Sequence, residues 1–303
     1  MTRVVGVTAG ERISAALVED GKIVLPLRTF PTLDAEPREF EGNALLSMPM
    51  DDIGAAIAQL ILETCAEPDA VGIGFPGIIR DSAVILESPN MRQAKGANLR
   101  DMVAQALAAR GLMPKVAIMN SADAVATGLA ATHSQMEKFI RVWTLGNGVG
   151  FGRYPHTGGV LEGGHITVSL DPKEKYCGCG GNGHLEGIMG HRAMRLRFLD
   201  LEPEEVFENA RQGDQRCGDF MRFWHRALAS ATASCIHMEG PGKFYICGPN
   251  ARFIQLPLLS RYLQEFVVMT PLQGGIFEVV RSSDEIAILG AAVNCLTSNA
   301  SKL

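Results

Sequence analysis

The chain has 303 residues, of which 47% are hydrophobic and 20% charged, so it can bury a large core and is expected to form two domains rather than one. Its formal net charge of −5 offers no basic footprint for binding nucleic acid. No apolar run approaches the roughly 18 residues of a membrane span, and no signal-peptide pattern precedes the first predicted strand, so we expect a cytoplasmic protein.

The first third of the chain predicts a mixed α/β arrangement. Strands are predicted over residues 4–7, 13–18, 23–27 and 83–86, and a further buried strand leads into a tight loop over residues 71–77. An amphipathic helix precedes residue 71, because Ile53, Ile57 and Ile61 recur at the spacing of one helical face. Asn90 closes a Ser-Pro-Asn tripeptide. Its amide can donate to and accept from hydroxyl groups, although Pro-Asn is also a common turn sequence.

A strand predicted over residues 116–119 delivers Asn120 to its carboxyl end, which is the edge where open α/β sheets place ligands. A helix is predicted over residues 122–131. Ser121 suits the N-cap of that helix, and Asp123 complements the positive helix start, so both residues have a structural explanation.

The strand predicted over residues 140–145 runs into a glycine-rich turn. This turn contains Gly146, Asn147, Gly148 and Gly150. Alternating glycines let consecutive backbone N–H groups converge on an anion, which makes the turn a candidate phosphate loop. The alternative is an ordinary tight turn of a hairpin.

Four side chains within twenty residues have the chemistry of a zinc site. His165, Cys177, Cys179 and His184 supply two imidazoles and two thiols, a complete tetrahedral set that leaves no position for water. The glycines around them let the backbone fold tightly, and the loop lacks apolar residues for its own core, so the metal would supply folding energy. We predict a structural zinc ion. The alternative is that the four are ordinary loop residues.

The remainder of the chain predicts structural elements. A short helix begins at Pro203, a long one covers about residues 214–237, and a strand over residues 243–247 ends at Gly248. The last predicted strand, over residues 276–280, precedes a helix whose small residues allow close packing.

The region around the candidate zinc ligands resembles the signature of the ROK family (repressors, open reading frames and sugar kinases), which is ExGH followed by CxCGxxGCxE. Residues 162–165 read EGGH, and residues 177–186 read CGCGGNGHLE. The second motif departs at one position, where His184 replaces the third cysteine and keeps a ligand that zinc accepts. Residues 144–152 are similar to the second phosphate loop of the family, and Asn120 to Asp123 stand at its NDxN motif.

The resemblance implies a two-domain actin-like ATPase fold, which is ribonuclease H-like, with an interdomain cleft. The first α/β domain would comprise residues 1–118 with a C-terminal helix at about 285–303, and the second, with the zinc loop, residues 119–284. It also implies ATP-dependent phosphorylation of a hexose or amino sugar, with MgATP as co-substrate. Because the family is often dimeric, we expect a homodimer, with a small-molecule sugar as ligand and neither nucleic acid nor membrane as partner.

The same resemblance implies roles for individual residues. The sugar would be bound by Asn90, Asn120, Glu162, His165 and Glu186. The nucleotide would be bound by Gly10, Gly146, Asn147, Gly148, Gly150 and Gly248. His165 would touch the sugar and the zinc ion through different ring nitrogens.

Two further family motifs are altered in this chain. The first phosphate motif, DxGGTK, corresponds to residues 7–13, where the Asp and one glycine are missing and Gly10 remains. Ser121 occupies the position of the general base and cannot accept a proton at neutral pH. Asp123 is a candidate substitute, but two residues of helix rotate its side chain by about 200°. The sequence therefore supports two hypotheses, a sugar kinase and a sugar-binding or regulatory protein that has lost catalysis.

Overall fold

The computed structural model describes residues 2–10, 12–31, 45–89, 91–133, 136, 139–156, 161–268, 275–281 and 284–297. Within these ranges the strands are β1 (Val4–Ala9), β2 (Ile13–Glu19), β3 (Lys22–Phe30), β4 (Ala70–Phe75), β5 (Ile78–Arg80), β6 (Val84–Glu87), β7 (Lys115–Asn120), β8 (Ile140–Leu145), β9 (Val149–Tyr154), β10 (Phe244–Cys247) and β11 (Phe277–Val279). The helices are α1 (Met50–Thr64), α2 (Leu99–Ala108), α3 (Ser121–Thr132), α4 (Glu186–Met189), α5 (His191–Arg197), α6 (Pro203–Arg211), α7 (Gln215–Glu239), α8 (Leu256–Phe266) and α9 (Asp284–Thr297). The predicted α/β class is confirmed.

The chain divides into two compact units. The first unit takes in Met1–Lys138, Gly152–Val160 and Ser283–Leu303, and the second takes in Phe139–Phe151 and Leu161–Ser282. The domain boundaries at residues 118 and 285 stay a prediction. None of the helices in the described ranges is both long and apolar enough to span a bilayer.

The first unit is built on a five-stranded sheet in the order β3-β2-β1-β4-β7. β1 pairs antiparallel with β2 and parallel with β4, and β4 pairs parallel with β7. Because side chains alternate along a strand, β1 sends Val5 and Val7 into a core with α1 and α2, and Val4 into a core with α9. The parallel strands β4 and β7 end side by side, where Phe75 pairs with Asn120.

Helix α9 packs closely on the first unit because glycines leave room for its backbone. A Cβ added at Gly6, Gly72 or Gly128 would lie 1.8–2.2 Å from a carbonyl oxygen of α9. Gly290 of α9 in turn approaches α3, where an added Cβ would lie 1.8 Å from the carbonyl oxygen of Ala124. The small residues predicted to allow close packing therefore have that role.

The second unit contains a four-stranded sheet in the order β11-β10-β8-β9, in which β10 pairs parallel with both β8 and β11. Its core is aromatic. Phe207 stacks on Phe253 with ring centroids 4.3 Å apart and meets the Trp224 ring at 5.2 Å. Trp143 of β8 donates its indole N–H to the Thr232 hydroxyl at 3.1 Å, which fixes α7 on the sheet.

Candidate functional site

The four predicted metal ligands come together in the second unit. His165 ends a short 3-10 turn, and the other three lie in the loop before α4. All four ligand atoms lie within 4.8 Å of one another. Cys179 Sγ is 3.3 Å from Cys177 Sγ and 3.3 Å from His184 Nδ1. His165 Nδ1 is 3.5 Å from Cys177 Sγ and 3.3 Å from His184 Nδ1. We call this group the Cys/His cluster.

The spacing of the Cys/His cluster fits a single tetrahedral ion. Bonds of about 2.3 Å to sulfur and about 2.0 Å to nitrogen place neighbouring ligand atoms roughly 3.3–3.8 Å apart. Burial raises the pKa of the Cys177 thiol to about 12, so that thiol stays protonated until a cation displaces its proton. The donor set is therefore compatible with zinc held in a closed, structural site.

Glu162 lies on the other side of the His165 ring. Its carboxylate oxygen is 3.6 Å from His165 Nε2, whereas Nδ1 of the same ring faces the Cys/His cluster. Gly163 and Gly164 between them pack directly on β9, because a Cβ at either position would lie 2.0–2.5 Å from atoms of that strand. The turn thus holds one imidazole between the cluster and a partly exposed carboxylate.

Glu186 connects the Cys/His cluster to the glycine-rich turn. One oxygen of its carboxylate accepts the Val149 backbone N–H at 3.0 Å, and the other lies 3.7 Å from Cys177 Sγ. Val149 lies within the turn and is the first residue of β9, so a single half-buried side chain bridges the two motifs.

The glycine-rich turn is also held by the start of α5 and by the segment after β10. The Gly146 N–H donates to the Gly148 carbonyl at 3.0 Å, which closes the turn. The Gly146 carbonyl accepts the His191 backbone N–H at 2.9 Å and the side-chain amide of Asn250 at 3.1 Å. Gly248 is required by its φ of +95° and by its approach to β8, where a Cβ would lie 2.4 Å from the Leu145 carbonyl oxygen.

Asn120 occupies the predicted place at the end of β7 in the first unit. Its side-chain oxygen accepts the backbone N–H groups of Ala122 at 2.8 Å and Asp123 at 3.3 Å, and its amide donates to the Gly77 carbonyl at 2.8 Å. Asn120 is therefore the N-cap of α3, and the prediction that Ser121 caps this helix was wrong. The reason is that α3 begins one residue earlier than predicted and includes Ser121 as its first residue.

Asp123 is 7% exposed and is engaged on both carboxylate oxygens. One oxygen accepts the Arg153 backbone N–H at 2.9 Å, and the other lies 3.4 Å from His156 Nδ1. The hydrogen bond to Asp123 raises the pKa of His156, against a smaller opposing effect of burial. Asp123 therefore acts directly on an imidazole of its own unit.

Gly10 lies in the tight connection between β1 and β2. Its N–H donates to the Arg12 carbonyl at 2.9 Å, and the flanking residues Ala9 and Ile13 pair directly. The Gly10 amide is therefore used within the hairpin, and its predicted contact with the nucleotide stays a prediction.

One predicted site residue lies outside the described residues, and two residues that the structure brings to notice were not predicted. Asn90, predicted as a sugar contact, lies outside the described residues. Asn250 and His156 were not predicted. Asn250 stands in a Gly-Pro-Asn turn, which signals a turn but not the loop it supports, and His156 belongs to no motif.

Comparison with known proteins identifies the family. The model of the ROK family matches residues 41–297. The chain belongs to the ROK family. A glucokinase from Pyrobaculum calidifontis is 26% identical over 269 residues, covering 83% of this chain and 88% of that protein.

Solved structures share the two-domain actin-like fold of this ROK protein, which confirms the fold implied by the sequence. A ROK hexokinase from Thermus thermophilus is 23% identical, with a TM-score of 0.77 over 99% of this chain and 100% of that chain. A ROK family glucokinase from Streptomyces griseus, solved with glucose and AMPPNP, is 23% identical, with a TM-score of 0.68 over 96% and 98% of the two chains.

Proposed function

We propose that this ROK protein is a sugar kinase that transfers the γ-phosphoryl group of MgATP to a hexose or amino sugar. The observation that supports this proposal best is the grouping of Glu162, His165 and Glu186 around the Cys/His cluster. Recognition of a sugar needs several fixed acceptors for hydroxyl groups, and a loop pinned by a metal ion holds such acceptors rigid.

The proposed roles follow from the chemistry of each side chain. The Glu162 and Glu186 carboxylates would accept hydrogen bonds from sugar hydroxyls, and His165 would present Nε2 while Nδ1 binds the metal. In the first unit, one N–H of the Asn120 side-chain amide donates to the Gly77 carbonyl. The other N–H of this amide would donate to a sugar hydroxyl. The turn from Gly146 to Gly150 would contact the phosphates of the nucleotide through the backbone amides of Asn147 and Gly148. The Gly146 N–H closes the turn, and the Val149 N–H donates to Glu186.

The proposed metal is a structural zinc ion. His165, Cys177, Cys179 and His184 would hold it, and it would supply the rigidity of the loop rather than chemistry at the sugar. The proposal rests on the donor types and their spacing, which leave no ligand position for water or substrate.

The kinase proposal is tested by a coupled assay of ADP release over a panel of hexoses and amino sugars. We expect turnover with at least one sugar, and Glu162→Gln should raise the KM for that sugar about 10-fold or more, because a hydrogen bond to a charged acceptor is lost. Glu265→Gln is the matched control, because Glu265 lies in the same unit, on the surface of α8, where it pairs with Arg226. Absence of both turnover and sugar binding would contradict the proposal.

A second candidate function is sugar binding without catalysis. Two observations favour it: Ser121 stands where the family places its base, and the Gly10 N–H already donates to the Arg12 carbonyl. Isothermal titration calorimetry separates the candidates, because sugar binding without ADP release would support the second. A homodimer and a cytoplasmic location also stay predictions.

A further inference from the structure

We propose that Asn250 is a positioning residue for nucleotide binding, because its side chain holds the glycine-rich turn with the backbone N–H groups of Asn147 and Gly148 directed at the phosphates. This inference rests on the kinase function proposed above and deepens it, since it names the side chain that orients those amides. All the groups involved belong to the second unit.

Asn250 is completely buried and lies between the glycine-rich turn and α4. It follows Gly248, whose φ of +95° turns the chain at the end of β10, and Pro249, which begins a short 3-10 turn. The side-chain nitrogen of Asn250 lies 3.1 Å from the Gly146 carbonyl oxygen and 3.4 Å from the Met189 carbonyl oxygen. Carbonyl oxygens only accept, so this atom is the NH₂ group of the amide, and one side chain ties the turn to the last residue of α4.

Two consecutive carbonyl groups of the turn point towards the start of α5. The Gly146 carbonyl accepts the His191 backbone N–H at 2.9 Å as well as the Asn250 amide. The Asn147 carbonyl accepts the Arg192 backbone N–H at 3.4 Å. The carbonyl side of the turn is therefore held jointly by α5 and by Asn250.

The opposite side of the same two peptide groups carries the N–H donors of Asn147 and Gly148. Both peptide groups are trans, and in a trans peptide the carbonyl and the N–H of the next residue point in opposite directions. The two N–H groups therefore point away from α5. In the part of the chain that the structure describes, no acceptor contacts either of them, and both residues are partly exposed. Two adjacent donors on an exposed turn are suited to an anion such as phosphate.

The glycine at position 146 explains why the turn needs this support. Glycine adopts backbone conformations that other residues avoid, so the peptide group between Gly146 and Asn147 can rotate unless its carbonyl is held. Rotation would turn the Asn147 N–H inwards. Asn250 opposes it through a donor that is itself bound to α4. Because α4 begins with Glu186, which accepts the Val149 N–H, both ends of the turn are fixed to the same helix.

The test measures the binding of ADP and of sugar by isothermal titration calorimetry for the unmodified chain, Asn250→Leu and the control Thr232→Val. Leucine has nearly the shape of asparagine but donates no hydrogen bond. Thr232→Val likewise removes one buried side-chain hydrogen bond of the second unit, the one to Trp143. We expect Asn250→Leu to weaken ADP binding about 10-fold and to leave sugar binding within about 3-fold, because the phosphate-facing amides lose their orientation. Thr232→Val should change neither affinity.

Adenosine separates a lost phosphate contact from general damage to the nucleotide site. Because adenosine carries no phosphate, its affinity should stay within about 2-fold in Asn250→Leu. Asn250→Ala removes the amide without adding bulk, so it should give the same pattern and replaces the leucine variant if that variant does not fold.

Three outcomes would overturn the inference while leaving the kinase function intact. They are ADP binding within about 2-fold of the unmodified chain in both Asn250 variants, an equal loss of affinity for ADP and adenosine, and an equal loss for ADP in Thr232→Val. An unmodified chain that binds sugar but not ADP would overturn both the inference and the kinase function.

Discussion

Gly181 and His184 depend on each other through direct steric contact. A Cβ added at Gly181 would lie 2.1 Å from Cε1, 2.5 Å from Nε2 and 2.8 Å from Nδ1 of the His184 ring. Nδ1 is the atom that faces Cys179 Sγ in the Cys/His cluster. The imidazole at position 184 is larger than the cysteine of the family signature, and the absent side chain at position 181 gives it space.

This contact predicts a non-additive pair of substitutions. Gly181→Ala should lower both the metal content and the stability of the chain, because the ring must move away from the ion. In a His184→Cys background the same change should cost about 1–3 kcal/mol less, because the smaller thiolate leaves room for a methyl group. Metal analysis and urea unfolding of the four variants measure the coupling. Equal costs of Gly181→Ala in both backgrounds would contradict the steric explanation.

At the scale of elements, the core of the first unit depends on close packing of α9 against its strands and against α3. Glycines of β1, β4 and α3 bring that helix close enough for backbone contact, and the Ser14 hydroxyl of β2 donates to the Asp284 carboxylate in its first turn. Residues from both ends of the chain therefore form one core, which contains Val4 and Ala16 beside Ile288 and Ala292.

Gly72→Ala should be strongly destabilising, because its methyl group would lie 1.9 Å from the Ala291 carbonyl oxygen and neither backbone can yield easily. We expect a loss of about 2–4 kcal/mol in the free energy of unfolding, as for other overpacked cores and strained backbones. Gly54→Ala is the matched control, since Gly54 lies within α1 and its nearest neighbour is the Met102 side chain at 3.4 Å. Alanine favours a helix interior by roughly 0.5–1 kcal/mol over glycine, so the control should not be destabilised. Denaturant unfolding measures both, and similar losses would refute the explanation.

At the scale of the whole molecule, the sequence predicts best where the signal is local. The four residues of the Cys/His cluster lie within twenty residues of one another and share one loop, so their types and spacing were sufficient to predict that they meet. The pair Asp123 and His156 is separated by 33 residues and forms only because β9 runs past the start of α3. The contact between Glu186 and Val149 likewise spans 37 residues. Neither contact has a sequence signature, because each depends on how distant elements pack.

The cap of α3 illustrates a different limit. Both Asn120 and Ser121 have side chains that can cap a helix, and the sequence does not say which backbone position lies just before the first turn. The structure selects Asn120, since that residue also ends β7 and reaches the Gly77 carbonyl. The residue predicted to contact a sugar is therefore also the N-cap of α3.

The Cys/His cluster should govern the stability of much of the second unit. From residue 166 to residue 184 the fully buried apolar side chain is that of Cys177, while Ile166 and Val168 are only partly buried against the core of the unit and Leu170 is 94% exposed, so an ion would add much to the stability of the loop. We expect about one zinc ion per chain in freshly purified protein. A content below about half an equivalent would contradict the proposed site.

Removal of this ion should loosen the residues proposed to bind sugar, because His165 belongs to the cluster and Glu186 touches it through Cys177. A chelator should therefore lower both the Tm measured by calorimetry and the sugar affinity measured by titration, and zinc added in excess should restore both. Cys179→Ala should reproduce the metal-free state and show no further response to chelator. Cys65→Ala removes another buried thiol, in the first unit, and should retain the metal and the response. If the chelated protein kept its sugar affinity while its Tm fell, the cluster would stabilise the fold without positioning the carboxylates and imidazole beside it.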